Sequence, residues 1–168
     1  IAYGKANSGK LTYASSGAGG TIHLSAELFK SMTGIRMEHI AYKSSPLAHI
    51  DMISGQVQAM FDAMPTALPQ TKAGRLRAVA VTTAKRSAQV PDLPAIAETL
   101  PGFDAAGWFG YAAPAKTPKA VIAALNKEIV RILALPDMKE RLIQQGADPV
   151  GDTPEEFQKY IQAEAAKW

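Results

Sequence analysis

The chain of 168 residues has no cysteine, which excludes disulfides, iron–sulfur ligation, zinc ribbons and thiol nucleophiles. The same absence leaves the redox compartment open. Aromatic residues make up only 7% of the sequence, and no apolar run approaches the roughly 20 residues that a membrane-spanning helix needs. An excess of one charge is missing as well: residues 1–117 carry 11 Lys and Arg against 7 Asp and Glu, and residues 118–168 carry 7 against 8, giving +4 and −1. Nucleic acid is therefore not expected as a partner. A phosphate binder clusters its cations on one face, whereas here basic neighbours occur only at Arg75 and Arg77 and at Lys85-Arg86, which read as solvated turns. The length is enough for one packed core or for two small lobes sharing a connection.

What the chain does have is 13 glycines and 11 prolines, set as punctuation between short apolar segments. Strand-like runs at Leu11–Ala14, Met37–Ala41, Ala59–Asp62 and Arg77–Thr82 alternate with amphipathic stretches, the pattern of βαβ units and a largely parallel sheet. A core-facing helix is predicted over Thr21–Met32, with Leu24, Leu28 and Met32 at helical spacing, Ile22 and Phe29 beside them, and Gly34 as its stop. A second runs from Pro46 to Ile53 before Gly55, and a third from Ala67 to Ala73 before Gly74. Residues 84–104, with Pro91, Pro94, Pro101 and Gly102, read as a linker around a short helix near Ala95–Thr99. Asp104–Ala113 reads as a strand entering a second lobe. Thr117-Pro118 then opens a helix to about Leu135, with Val121, Leu125, Ile129 and Leu133 as its stripe. Pro136-Asp137 opens a shorter helix that Gly146 stops, and Thr153-Pro-Glu-Glu156 is a capping-box start for a last helix reaching Trp168. The opening Ile1–Lys10 has no initiator Met and reads as a helix end running into a turn, so a processed chain or a fragment is expected.

Chemistry concentrates in Ser15-Ser16-Gly17-Ala18-Gly19-Gly20-Thr21, between a strand and a helix. Glycines let N–H groups turn inward, the helix start adds unsatisfied donors and partial positive charge, and Ser15, Ser16 and Thr21 add hydroxyls, so an anion fits here. A plain strand-to-helix turn with Thr21 as its cap is the other reading. A dinucleotide fingerprint fails, because Ile22 stands where the third small residue belongs and Glu38 lies inside the next strand. A P-loop fails for want of Gly-Lys-Ser/Thr. Ligands of open α/β sheets sit outside the C-terminal strand ends, which makes Ser45 and Asp62 candidate co-ligands and Tyr42 a wall. Ser45 reads equally as the cap of the helix that follows, and Asp62 as the cap of the turn at Met64-Pro65. No nucleophile or zinc motif is present: His23 reads as a local partner of Glu27, His39 as an alternating strand residue, and His49-x-Asp51 lacks a third ligand. No catalytic residue, metal or cofactor is expected, and Trp108-Phe109-Gly110 reads as core.

The run Gly9-Lys-Leu-Thr-Tyr-Ala-Ser-Ser-Gly-Ala-Gly-Gly-Thr-Ile-His-Leu-Ser-Ala-Glu-Leu-Phe29 strongly resembles the substrate-binding proteins of tripartite tricarboxylate transporters, the Bug family. So do Ala41–Ser45, Ser54–Val57, Met60–Asp62, Ala73–Thr82, Val90–Pro94, Ala113–Pro118 and Gly151–Phe157, in family order over nearly the whole chain. The resemblance implies an α/β fold: a lobe of the periplasmic-binding-protein type II kind, with a parallel-rich sheet and flanking helices, plus a helix-rich, incomplete second lobe. Residues 1–104 would be the substrate-binding lobe and 105–168 the C-terminal part of the other, with the family's N-terminal stretch absent. It further implies a periplasmic receptor, without catalysis, that delivers a small organic acid (a dicarboxylate, tricarboxylate, aromatic carboxylate or amino acid) to a membrane permease. In the family the loop matched by Ser15, Ser16, Gly17, Gly19, Gly20 and Thr21 holds a ligand carboxylate, and Tyr42, Ser44, Ser45 and Asp62 match its border. Ser44 stands where relatives usually carry Gly, and Glu98-Thr-Leu-Pro101 matches a connection one residue longer. An enzyme that orients a carboxylate or phosphate, and a ligand-sensing regulatory protein, are the competing readings. With half the cleft absent, the chain is expected to bind weakly and its uncovered helices to favour a dimer.

Overall fold

The computed structural model describes residues 1–168 and divides them into two compact units, Ile1–Trp108 and Phe109–Trp168. The first unit opens with α1 (Ala2–Ala6), which Asn7 closes, and continues through β1 (Leu11–Ser15), α2 (Thr21–Thr33), β2 (Met37–Ala41), α3 (Ser45–Ile53), β3 (Ala59–Met60) and α4 (Met64–Lys72). The three strands form one parallel sheet in the order β2-β1-β3, with Tyr13 opposite His39 and Ala14 opposite Ile40 and Met60. Successive side chains of a strand point to opposite faces. Tyr13 accordingly packs with Ala26 of α2, Ile35 and Met37 on one face, and Ala14 with Ala48 of α3 and Val57 on the other. Cover on both faces buries the centre of the sheet at Tyr13–Ser15, while Glu38 and Ala41 of β2 stay exposed.

Gly34 ends α2 in the left-handed conformation at φ +71°, as its position in the sequence suggests. The stripe of α2 that reaches the sheet is one step round from the predicted one. Ser25 and Ala26 are the buried residues and Met32 is exposed, while Phe29 packs against the Tyr13 cluster as expected. Small side chains at 25 and 26 let the helix axis approach β1, which the bulkier leucines would prevent. Helix α4 starts at Met64, three residues earlier than predicted, because Pro65 suits a first turn.

Two predicted strands are not strands. Arg77–Thr82 runs irregularly and makes a single bridge, Val81 to Ala95, since the neighbouring edge offered by β3 is only two residues long. Val79 is left exposed. The linker that follows carries the 3-10 turn Ile96–Glu98 and is anchored by Phe103, fully buried against Phe29, and by Ala105, whose N–H donates to the Thr82 carbonyl. Asp104–Ala113 is also irregular, for no strand is present to pair with it and Gly107 and Gly110 interrupt it. Trp108 and Phe109, expected in the core, are exposed, as is Tyr111.

The second unit contains α5 (Lys119–Leu133), α6 (Pro136–Gln144) and α7 (Pro154–Lys167). The Thr153 hydroxyl accepts the Glu156 N–H while the Glu156 carboxylate accepts the Thr153 N–H, the reciprocal capping box foreseen at the start of α7. Pro118 sits at the cap of α5 rather than inside its first turn. Val121 and Leu125, two members of the predicted stripe, are exposed.

Candidate functional site

In a sheet ordered β2-β1-β3 the connection from β1 leaves to one side and that from β2 returns to the other, which opens a crevice at the C-terminal ends of β1 and β3. The segment filling that position is Ser15–Thr21. Gly17 and Gly19 have φ of +141° and +79°, values that side chains with a Cβ rarely adopt, and no atom lies within 4 Å of where a Cβ would stand on either. Their role is to turn the backbone, with space left beside it. Gly20, at φ −77°, is the N-cap of α2, so Thr21 is the first helical residue and not the cap. The first helical bond runs from Leu24 N–H to the Gly20 carbonyl, which leaves the N–H groups of Thr21, Ile22 and His23 without an intrahelical acceptor. Ser16, Ala18, Gly19, Gly20 and Thr21 are all exposed.

Ser15 differs from its neighbours. It is fully buried, and its hydroxyl lies 2.9 Å from the Gly17 carbonyl, accepts the Gly17 N–H at 3.2 Å and lies 2.6 Å from His39 Nε2. Its carbonyl accepts the Tyr42 N–H at 2.9 Å, which fastens the end of β2 to the end of β1. Burial, followed by the neighbouring His23, pushes His39 below the usual histidine range, so at neutral pH the ring meets the Ser15 hydroxyl uncharged.

On the other face, Ser45 donates to Asp62 Oδ1 at 2.7 Å and His49 Nε2 lies 2.7 Å from Asp62 Oδ2. Both carboxylate oxygens of Asp62 thus have partners, and Asp62 and His49 side chains are nearly buried. Ser45 is not the cap of α3: that position belongs to Ser44, whose side chain caps nothing. Ser44 has φ −164°, an extended backbone that any residue adopts, so a serine is accommodated there without strain. Tyr42 packs with the Ala14 cluster and its hydroxyl donates to Asp51 at 2.7 Å, a bond that raises its pKa. A cavity of about 360 Å³ lies between α3 and α4 beside His49.

The predicted residues therefore form two sets. Ser15, Ser16, Gly17, Gly19, Gly20 and Thr21 make a loop with an open side, and Ser45 and Asp62 make a closed polar knot with His49. His23 lies 3.7 Å from Glu27, the local pairing expected of it, but the contacts of the three histidines with Gly19, Ser15 and Asp62 are not part of the sequence reading. The register pairing Tyr13 with His39 was the available signal, because it places His39 on the face that α2 covers. No group of three or more His, Asp or Glu side chains is arranged to hold a metal ion.

Comparison with known proteins decides the family. The profile described as Tripartite tricarboxylate transporter family receptor matches residues 1–168. The chain belongs to that family. It is 37% identical over 164 residues to the UPF0065 protein in the tcbD-tcbE intergenic region of Pseudomonas sp. (strain P51), covering 96% of this chain and 49% of the relative. Among solved structures, Rpa4515 of R. palustris with adipate superposes with a TM-score of 0.92 at 38% identity, covering 99% of this chain and 56% of that one. MatC (Rpa3494) from Rhodopseudomonas palustris with bound malate gives 0.85 at 28%, covering 99% and 58%. The periplasmic binding protein BugD gives 0.84 at 32%, covering 99% and 57%. The chain thus has the fold of this family of binding proteins and spans about half the length of the curated relatives it matches.

Proposed function

We propose that this chain is the anion-gripping part of an extracytoplasmic solute-binding protein, which captures a small organic acid and delivers it to a membrane permease without chemical turnover. The observation that carries the reading is the Ser15–Thr21 loop. Its exposed backbone and the first N–H groups of α2 converge at the crevice beside β3, an arrangement suited to a carboxylate. That two similar proteins were solved with adipate and with malate supports a dicarboxylate as the ligand class, and the description of BugD supports a periplasmic location.

In this reading Ser16, Gly17, Gly19, Gly20 and Thr21 form the carboxylate seat, while Ser15 and Tyr42 brace it from below. The Ser44, Ser45 and Asp62 segment is its border. Residues 1–104 act as the substrate lobe with 84–104 as its linker, and further ligand contacts come from sequence outside these 168 residues. Amide chemical shifts of the ¹⁵N-labelled chain, followed as adipate or malate is added, test the proposal at any affinity. The largest shifts are expected at Ser16–Thr21. Shifts confined to other segments, or none at saturating acid, overturn it, and conversion of the acid in the same tube favours an enzyme.

A further inference from the structure

Two histidines stand directly behind the loop. His23, third residue of α2, turns Nδ1 back to accept the Gly19 N–H at 3.1 Å. His39 of β2 holds the Ser15 hydroxyl at 2.6 Å. The two imidazoles stack with centroids 4.2 Å apart, and His39 stacks in turn on Tyr13 at 4.9 Å. The titratable and charged groups facing His23 are Tyr13 on β1, His39 on β2, and Glu27 and Lys30 on α2. Glu27 Oε1 lies 3.7 Å from His23 Nε2 and receives hydrogen bonds from Lys30 Nζ at 2.7 Å and from the Tyr13 hydroxyl at 2.5 Å.

An imidazole nitrogen accepts a hydrogen bond only while it carries no proton. We propose that neutral His23 is a positioning residue of the loop, and that its protonation releases the Gly19 N–H, so that the loop offers an anion more donors as pH falls. The inference rests on the carboxylate reading of the loop. With Nδ1 protonated, the ring N–H and the Gly19 N–H face each other, cannot pair, and both require an acceptor. A carboxylate in the loop supplies one to each. By reciprocity, an acid bound there holds the proton on the ring. Stacked rings at 4.2 Å disfavour two charges at once, and His39 is held neutral by burial and by His23 itself. Glu27, opposite Nε2, remains as the counter-ion of His23.

The test begins without ligand. Ring-nitrogen shifts and the Gly19 amide protection factor are followed on the ¹⁵N-labelled chain as pH is lowered from about 8 until the ring carries its second proton. At the upper end, His23 is expected as the Nε2–H tautomer with Gly19 protected, and the protection should fall in step with ring protonation. His23→Asn offers an acceptor oxygen that does not titrate and should protect Gly19 at both ends. His23→Phe keeps the stack without an acceptor and should protect it at neither. An Nδ1–H tautomer at the upper end, or Gly19 protection that ignores the ring's charge, overturns the inference, and the wild-type titration alone decides if the variants fail to fold. Adipate affinity is then expected to rise about fivefold over the same range in the wild type and to be flat in His23→Asn. A rise that persists in His23→Asn counts against His23. If adipate leaves the loop unmoved at either pH, the carboxylate reading falls, while the His23–Gly19 bond is still judged by the ligand-free data.

Discussion

Single residues in the loop differ more than their shared identity suggests. Gly19 adopts φ +79° with empty space where a Cβ would go, whereas Gly20 adopts φ −77° and its Cβ would stand 4.0 Å from the Gly17 carbonyl. Gly19→Val should therefore cost about 1–2 kcal/mol through backbone strain alone, the penalty of a left-handed residue. Gly20→Ala should stay within about 0.5 kcal/mol, the range of an uncrowded surface change. Urea unfolding of the two variants measures the contrast. His39 supplies a pH signature at the same scale. Burial holds its folded pKa below the ordinary histidine value of 6.5, so the unfolded chain binds the proton first and stability declines as pH falls from 6.5 through the folded value. Denaturation midpoints taken across that window should drop in the wild type and drop less in His39→Phe.

Elements succeeded or failed according to whether they carried their own punctuation. Helices α2, α6 and α7 have a glycine stop or a capping box written into them and appear where predicted. Removing the cap of α7 with Thr153→Ala should cost about 1 kcal/mol of helix stability, visible as lost ellipticity at 222 nm. The segment Arg77–Thr82 has strand-like composition but needs a partner ladder, and with β3 only two residues long it gains one bridge. What holds the linker is different: Arg86 grips Glu98 through Nε at 2.7 Å and Nη2 at 2.8 Å, and Glu98 also accepts the Ala95 N–H. The hydrogen bond from Arg86 leads in lowering Glu98 to about 2. Because the folded pKa is depressed, this contribution is present above the ordinary carboxylate value and fades as pH falls from 4.5 towards about 2. The pair is solvent-exposed, so salt should weaken it. Glu98→Gln should erase the part of the acid sensitivity that added salt also erases, and unchanged acid unfolding in that variant would dismiss the pair.

For the whole molecule, burial is uneven. Every buried residue lies in Ile1–Trp108, among them Tyr13, Ala14, Ala26, Ala48 and Phe103, and Phe109–Trp168 contains none. A unit without a dry core opens readily, because its backbone hydrogen bonds stay close to water. Hydrogen exchange should therefore finish first in α5, α6 and α7 and last in β1. Equal protection across the two units would contradict this. Coverage of about half the relatives' length, 49% and 52% for two of them, accords with apolar helix faces at Val121 and Leu125 that remain in solvent.

Sequence alone determined the features that depend on near neighbours. The helix ends at Gly34 and Gly146 follow from which residue types accept positive φ, and the tight loop between β1 and α2 follows from its glycines. The family followed from motifs spread along nearly the whole chain, and the profile match over residues 1–168 agrees. Tertiary structure alone decided which side chains meet across the sheet. The partnership of Ser15 with His39 spans 24 residues, and that of Asp62 with Ser45 and His49 spans 17 and 13. Those distances in sequence are closed only when β2 and β3 take their places on either side of β1. The physical reason is that a hydrogen bond between side chains is set by strand order and register, and neither is encoded in the local run of residues that carries the donor or the acceptor.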